Sequence, residues 1–197
     1  MHAHRPALII IDMQQGMASP AAGSRNNPAA ERQIATLLQA WRAADATVVH
    51  VRHISRTPGS PFWPGQSGVE FQPALAPLPE EHVVEKNVPD AFIHSGLERW
   101  LRVRGISKLL MAGVSTNNSV ESSARTAGNL GFATQVVADA CFAFAQVDYA
   151  GTPRTADEVH AMALANLHGE YAQVVTTAQV IEGLSRPAPA PGRQLVR

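Results

Sequence analysis

Six short apolar runs limit this chain more than any other feature. They are ALIIID (Ala7 to Asp12), TVVHVR (Thr47 to Arg52), HVVEK (His82 to Lys86), KLLMAG (Lys108 to Gly113), ATQVVAD (Ala133 to Asp139) and AQVVTT (Ala172 to Thr177). Runs this short, apolar on both faces, suit strands buried inside a parallel sheet. Helical spacing separates most of them. Between the first two, Ile34, Leu37, Leu38 and Trp41 recur at i, i+3, i+4 and i+7 and predict a helix within Pro28 to Asp45. Leu97, Trp100 and Leu101 mark a second helix, ending near Gly105. Further helices are expected at about Asn118 to Leu130, Asp157 to His168 and Thr177 to Leu184. Alternation of this kind means an α/β fold, a doubly wound parallel sheet with helices on both faces. Ligands in such sheets bind outside the carboxyl ends of the strands, at the point where the strand order reverses. Asp12, Arg52, Lys86 and Gly113 stand at such ends.

The 197 residues are enough for one domain with a substantial core, here residues 1–184. Residues 185–197 form a Pro-rich tail, SRPAPAPGRQLVR, expected to pack on a neighbouring subunit. The segment from His53 to Glu80 is rich in Pro, Gly and Ser and has no sustained period. A loop that long inside a domain is usually functional. Sixteen basic and sixteen acidic residues cancel, so no nucleic-acid or membrane-surface partner is expected. The lone cysteine, Cys141, excludes an internal disulfide and a Cys-rich zinc site. No run approaches the ~20 apolar residues of a membrane span, and the N-terminus lacks a signal-peptide pattern. A cytoplasmic protein is expected.

Asp12, Lys86 and the turn after Gly113 can converge on one crevice as base, electrophile and nucleophile. The turn reads GVSTNNSVESSART, Gly113 to Thr126, with hydroxyls at Ser115, Thr116 and Ser119. GVSTN is a near-miss to the nucleophile elbow G-x-S-x-G. A triad on Ser115 would need a late histidine, and His160 and His168 lie inside a helical pattern. His50 and His53 are three apart, pointing to opposite faces of a continuing strand, so no metal is expected. No Gly-rich phosphate loop follows any strand, and no cofactor is expected. Phe62 and Trp63 can form a substrate wall or a small satellite core. Arg52 can bind a carboxylate or serve in an ion pair.

Taken together, LIIIDMQ, VVEKNVPDAF, LRVRGISKLLMAGVSTNNSVESSARTAGNLGF and VVADAC resemble the isochorismatase-like cysteine hydrolases, the superfamily that includes nicotinamidase and N-carbamoylsarcosine amidase. The resemblance runs from about Ala7 to Leu184. It implies a three-layer αβα fold with a six-stranded parallel sheet, and a catalytic Asp, Lys and Cys that fall on Asp12, Lys86 and Ser119. The nucleophile position therefore holds serine. Cys141 falls where the family often carries a cysteine with no catalytic role. The resemblance also implies a cis peptide at Val114–Ser115 and an oxyanion hole from the backbone N–H groups of Ser115 and Ser119. The metal ligands of the nicotinamidase branch are not supplied by HVRHISRT.

Implied is hydrolysis of a small amide, ureido or carbamoyl compound through an acyl-enzyme, in a homodimer or homotetramer. Gln15, Phe62, Trp63, Phe92, Asn118 and Phe142 would line the substrate pocket. A free thiol has a pKa of about 8.5, whereas an alcohol lies nearer water's ~15.7, so little turnover is expected from Ser119 by this route. The preferred reading is an inactivating Cys→Ser replacement. The alternatives are a natural variant cleaving a vinyl ether with Asp12 as general acid, and a small-molecule binding protein that has lost catalysis.

Overall fold

The computed structural model describes residues 5–19 and 22–185. The tail at 186–197 lies outside them, and with it the expected packing on a neighbour. Strands β1 (Ala7–Ile11), β2 (Val48–His53), β3 (His82–Lys86), β4 (Lys108–Val114), β5 (Ala133–Phe142) and β8 (Gln173–Val175) form one sheet in the order β3-β2-β1-β4-β5-β8. Every pairing is parallel. The chain builds outward from β1 to β3, then returns to place β4 on the other side of β1. The order reverses between β1 and β4, which opens a crevice at their carboxyl ends.

Helices cover both faces. On one, α1 (Ala30–Arg42) and α5 (Thr177–Ser185) close a core of Leu8, Ile10, Leu110, Ala112 and Val137. The predicted stripe of α1, Ile34, Leu37, Leu38 and Trp41, is wholly buried there. Trp41 retains a polar partner, its Nε1–H donating to the Pro6 carbonyl at 2.9 Å. On the other face, α2 (Leu97–Val103), α3 (Glu121–Asn129) and α4 (Ala156–Leu167) cover Ile9, Ile11, Val49, Val51, Leu109 and Met111. The strands alternate between the two cores because successive side chains point to opposite faces. Small residues on α3, Ser123, Ala124 and Ala127, are fully buried and let that helix lie close to the sheet.

Three features differ from the sequence reading. The helix expected from Asn118 begins as one turn of π-helix, Thr116–Val120, before α3 continues it. A short antiparallel hairpin, β6 (Gln146–Val147) with β7 (Pro153–Arg154), sits between β5 and α4. It is too short and too exposed to leave an apolar period. The long segment after His53 is anchored by buried Val69 and Leu75 and by a bridge between Phe71 and Gln14. Among the described residues, no helix is long and apolar enough to cross a membrane.

At the crevice, Gly113 has φ +130°, and a Cβ there would lie 2.0 Å from the Ile11 carbonyl oxygen. Only glycine combines that backbone with that approach of β4 to β1. Gly113→Ala is expected to lower stability by on the order of 3 kcal/mol or more, as a forbidden φ and overpacking add. Urea unfolding of the two proteins checks this; a change under about 0.5 kcal/mol, ordinary for a neutral surface site, would contradict it.

Candidate active site

The crevice at the reversal point receives three polar side chains from three strand ends. Asp12 follows β1 with φ +53°, a left-handed conformation that Asp tolerates better than most residues. Its N–H donates to the Val51 carbonyl at 2.8 Å, and its own carbonyl accepts from the Gln14 N–H at 2.7 Å. This tight turn directs the carboxylate inward. Lys86 ends β3, two strands away, and its long stem covers the distance. Lys86 Nζ donates to Asp12 Oδ2 at 2.6 Å and to Ser119 Oγ at 3.2 Å. Ser119 comes from the π-helical turn after β4. Rare π-turns of this kind occur frequently at functional sites.

The ion pair is almost wholly dry, with the Lys86 and Asp12 side chains 0% and 1% exposed. Burial pushes the Asp12 carboxyl up from its ordinary range, while Lys86, Ser119 and His53 pull it back. Asp12 Oδ1 is buried and has no hydrogen-bond partner among the described residues. Removal from water costs both ions several kcal/mol, so such a pair is weak evidence of stabilisation. A lysine shared between a carboxylate and a hydroxyl is instead an arrangement for moving or stabilising charge.

The turn itself is held from several sides. The Val114–Ser115 peptide is cis. Ser115 is half-buried, and its carbonyl accepts from the N–H groups of Asn118 and Val120. The buried Thr116 hydroxyl lies 2.8 Å from His160 Nδ1. Asn27 stands on the other side of that imidazole and donates to the carbonyls of Ala138 and Cys141. His160, on α4, thus fixes the turn that carries Ser119. Ser123 Oγ donates to the Ser119 carbonyl at 2.7 Å and accepts the Ala91 N–H at 2.9 Å, tying the turn to the segment after Lys86.

The remaining candidates are spread more widely. Gln15 is exposed, and it is Gln14 that is fully buried at the crevice. Phe62 is half-buried, with its ring in a T-shaped contact with His53 and its tip against Gly16. Trp63 lines a shallow cleft of about 400 Å³ with Ser55, Arg56 and Asn87, beside the end of β3. Phe92 is buried against Phe132 in one core, and Phe142 lies in the other beneath Arg25. Asn118 is exposed. Arg52 pairs with Glu85. His50 is fully buried against Glu81, whereas His53, three residues on, is half-buried at the end of β2 in register with Lys86. Cys141 is buried in register with Gly113, and burial pushes its thiol up to about 12. It is therefore protonated and shut off from any substrate.

Gln14 and Ser123 are not site candidates in the sequence, and Thr116, His53 and His160 enter it only as a turn hydroxyl, a rejected metal ligand and a rejected triad histidine. Gln14 stands beside the strand-ending acid, but nothing local shows where its amide goes. His160 carries a signal only in retrospect: a histidine on the inward face of a helix must find a polar partner.

The Isochorismatase domain model matches residues 6–179. A crystal structure of an isochorismatase-family protein from Chromobacterium violaceum ATCC 12472 is 50% identical, covers 91% of this chain and 93% of its own, and aligns with a TM-score of 0.89. The isochorismatase family protein YrdC of Bacillus subtilis (strain 168) is 36% identical over 177 residues, 90% of this chain and 95% of that protein. Ureidoacrylate amidohydrolase RutB of Caulobacter vibrioides (strain ATCC 19089 / CIP 103742 / CB 15) is 30% identical over 207 residues, 87% of this chain and 88% of that protein.

Lys86→Met strands Asp12 in a dry site and is expected to cost on the order of 3–5 kcal/mol. The double change Lys86→Met with Asp12→Leu should recover much of that loss, because the buried charge is gone. The single variant's deficit should shrink as pH falls. A carboxyl whose folded pKa is raised is most stable protonated, and the penalty grows as pH rises through that pKa. Urea unfolding at about pH 5 and pH 8 reads both effects; equal losses for the single and double variants would refute the account.

Proposed function

The chain belongs to the isochorismatase family of hydrolases, and on that premise we propose that it hydrolyses a C–N bond in a small amide, ureido or carbamoyl compound. The observation that carries this reading is the convergence of Asp12, Lys86 and Ser119 within hydrogen-bond reach in a dry crevice. The kinship with a ureidoacrylate amidohydrolase supports the bond type. In this reading Asp12 takes the proton of the residue 119 side chain, whose heteroatom attacks the carbonyl carbon. Backbone N–H groups of Ser115 and Ser119 receive the developing oxyanion, and Lys86 steadies the charge on the pair. The C–N bond breaks, the amine leaves protonated, and water releases the acyl group.

Serine sets the rate of the first step. The gap between thiol and alcohol acidities is roughly seven pKa units, on the order of 10 kcal/mol as an upper bound. A carboxylate bound to an ammonium group is a weak base for an alcohol. Ser119 thus occupies the seat of a cysteine and makes this chain a slow hydrolase that still binds substrate, since the two side chains are nearly isosteric.

A second reading draws on the environment of Asp12. Its raised pKa and its unpartnered Oδ1 suit a general acid that protonates a vinyl ether. The two readings part at Ser119. For C–N hydrolysis, Ser119→Cys should raise turnover of primary amides and ureides by at least about 100-fold, a fraction of what the pKa gap allows, and Ser119→Ala should abolish it. Vinyl-ether cleavage should survive Ser119→Ala and vanish in Asp12→Asn. Release of amine or ammonia and release of pyruvate from isochorismate measure the two. No gain from Ser119→Cys against any C–N substrate would sink the first reading.

A further inference from the structure

We propose that His53 is a second base of this site, taking the proton from the water that releases the acyl group from residue 119. The inference rests on the C–N hydrolase reading and deepens it.

His53 ends β2, between the strands that supply Asp12 and Lys86, and is the register partner of Lys86. Its backbone is clamped on both sides by one buried side chain. The His53 N–H donates to Gln14 Oε1 at 2.8 Å, and Gln14 Nε2 donates to the His53 carbonyl at 3.0 Å and to the Val69 carbonyl at 2.8 Å. Gln14 is fully buried, so its amide is committed to fixing this strand end. The ring is treated differently from the backbone. It is half-buried in a T-shaped contact with Phe62, the ring centroids 6.1 Å apart at 79°. Among the described residues, neither ring nitrogen has a hydrogen-bond partner. Among the described histidines, His50, His160 and His168 each use a ring nitrogen in a hydrogen bond, His82 stacks on Trp100 and His94 is exposed, so His53 is the one with an unbonded ring at a strand end beside Lys86. His53 is held firmly at its backbone and left open at its imidazole.

The charged groups that act on it are Asp12, which follows β1, and Lys86, its register partner on β3. Burial and Lys86 lower the imidazole's pKa and Asp12 raises it, with a net lowering. At neutral pH the ring is uncharged and able to accept a proton. Asp12 Oδ2 is bonded to Lys86 and, in this reading, the carboxylate serves the residue 119 side chain, so His53 supplies a separate acceptor for the water proton. The balanced step is simple. A water proton passes to an imidazole nitrogen while the water oxygen adds to the acyl carbon. The tetrahedral species then collapses, the bond from carbon to the residue 119 heteroatom breaks, and the imidazolium returns the proton to that heteroatom. One water is consumed and the imidazole is regenerated.

The test uses His53→Gln in the Ser119→Cys protein, where attack by residue 119 no longer sets the rate. Expected are a roughly 100-fold fall in kcat, within the usual range for a general base, and accumulation of an acyl adduct on residue 119 by intact-protein mass. The acid limb of kcat that follows a group below the ordinary histidine value of about 6.5 should also disappear. NMR titration of the His53 ring in the native protein needs no substrate. It should give a pKa below that value, displaced further down by Asp12→Asn, which removes the charge that raises it. A ring titrating at its ordinary value and unmoved by Asp12→Asn overturns the proposal, as does an unchanged kcat and pH profile in an active His53→Gln protein. Absence of turnover in both the native and the Ser119→Cys proteins overturns the hydrolase reading beneath it.

Discussion

A buried ion pair between residues two strands apart is the constraint to which the rest of this molecule answers. Lys86 and Asp12 lie within 2.6 Å of one another, out of water. Neither would sit there for stability alone, because desolvation offsets most of the attraction. The pair demands that β3 and β1 end at the same level with only β2 between them, which the strand order provides. It also demands a third group to use the charge, and the reversal of strand order beside β1 brings the turn after β4 into reach. Topology and electrostatics here describe one arrangement.

The fold was legible because its signals are local. Continuous apolar runs mark strands buried on both faces, and the i, i+3, i+4, i+7 spacing of Ile34 to Trp41 marks a helix lying on them. Strand ends were legible for the same reason, and the rule for ligand sites in open sheets drew attention to Asp12 and Lys86. The hairpin at Gln146 to Arg154 left no trace, since two-residue strands exposed to solvent carry no pattern. The π-turn at Thr116 to Val120 was hidden too. It is set by contacts with His160 and Ser123, partners distant in sequence or masked by an ordinary helical spacing.

The same division explains the site. Residues that carry charge announced themselves by type and position. Those that hold them in place did not, because Gln14, Thr116 and Asn27 are ordinary polar residues whose roles exist only once 39 to 133 positions of sequence separation close up. Aromatic residues behave differently. Phe92 and Phe142 lie near motif residues in sequence, yet the strand and loop that carry them turn their rings into the two cores. Proximity along the chain says little about direction when successive positions alternate between faces.

Under the proposed C–N hydrolysis, the catalytic question narrows to one atom set in surroundings that do not favour it. A thiol at residue 119 would need only a modest push from Asp12, whereas a hydroxyl needs far more. Among the described residues nothing else in the crevice compensates directly, since the lysine that steadies the carboxylate also weakens it as a base. Any acid–base capacity beyond the pair must come from a group close enough to feel it yet not bonded to it. Among the described residues His53 has that combination: Asp12 and Lys86 both act on its ring, and its backbone is fixed by Gln14 beside the end of β3.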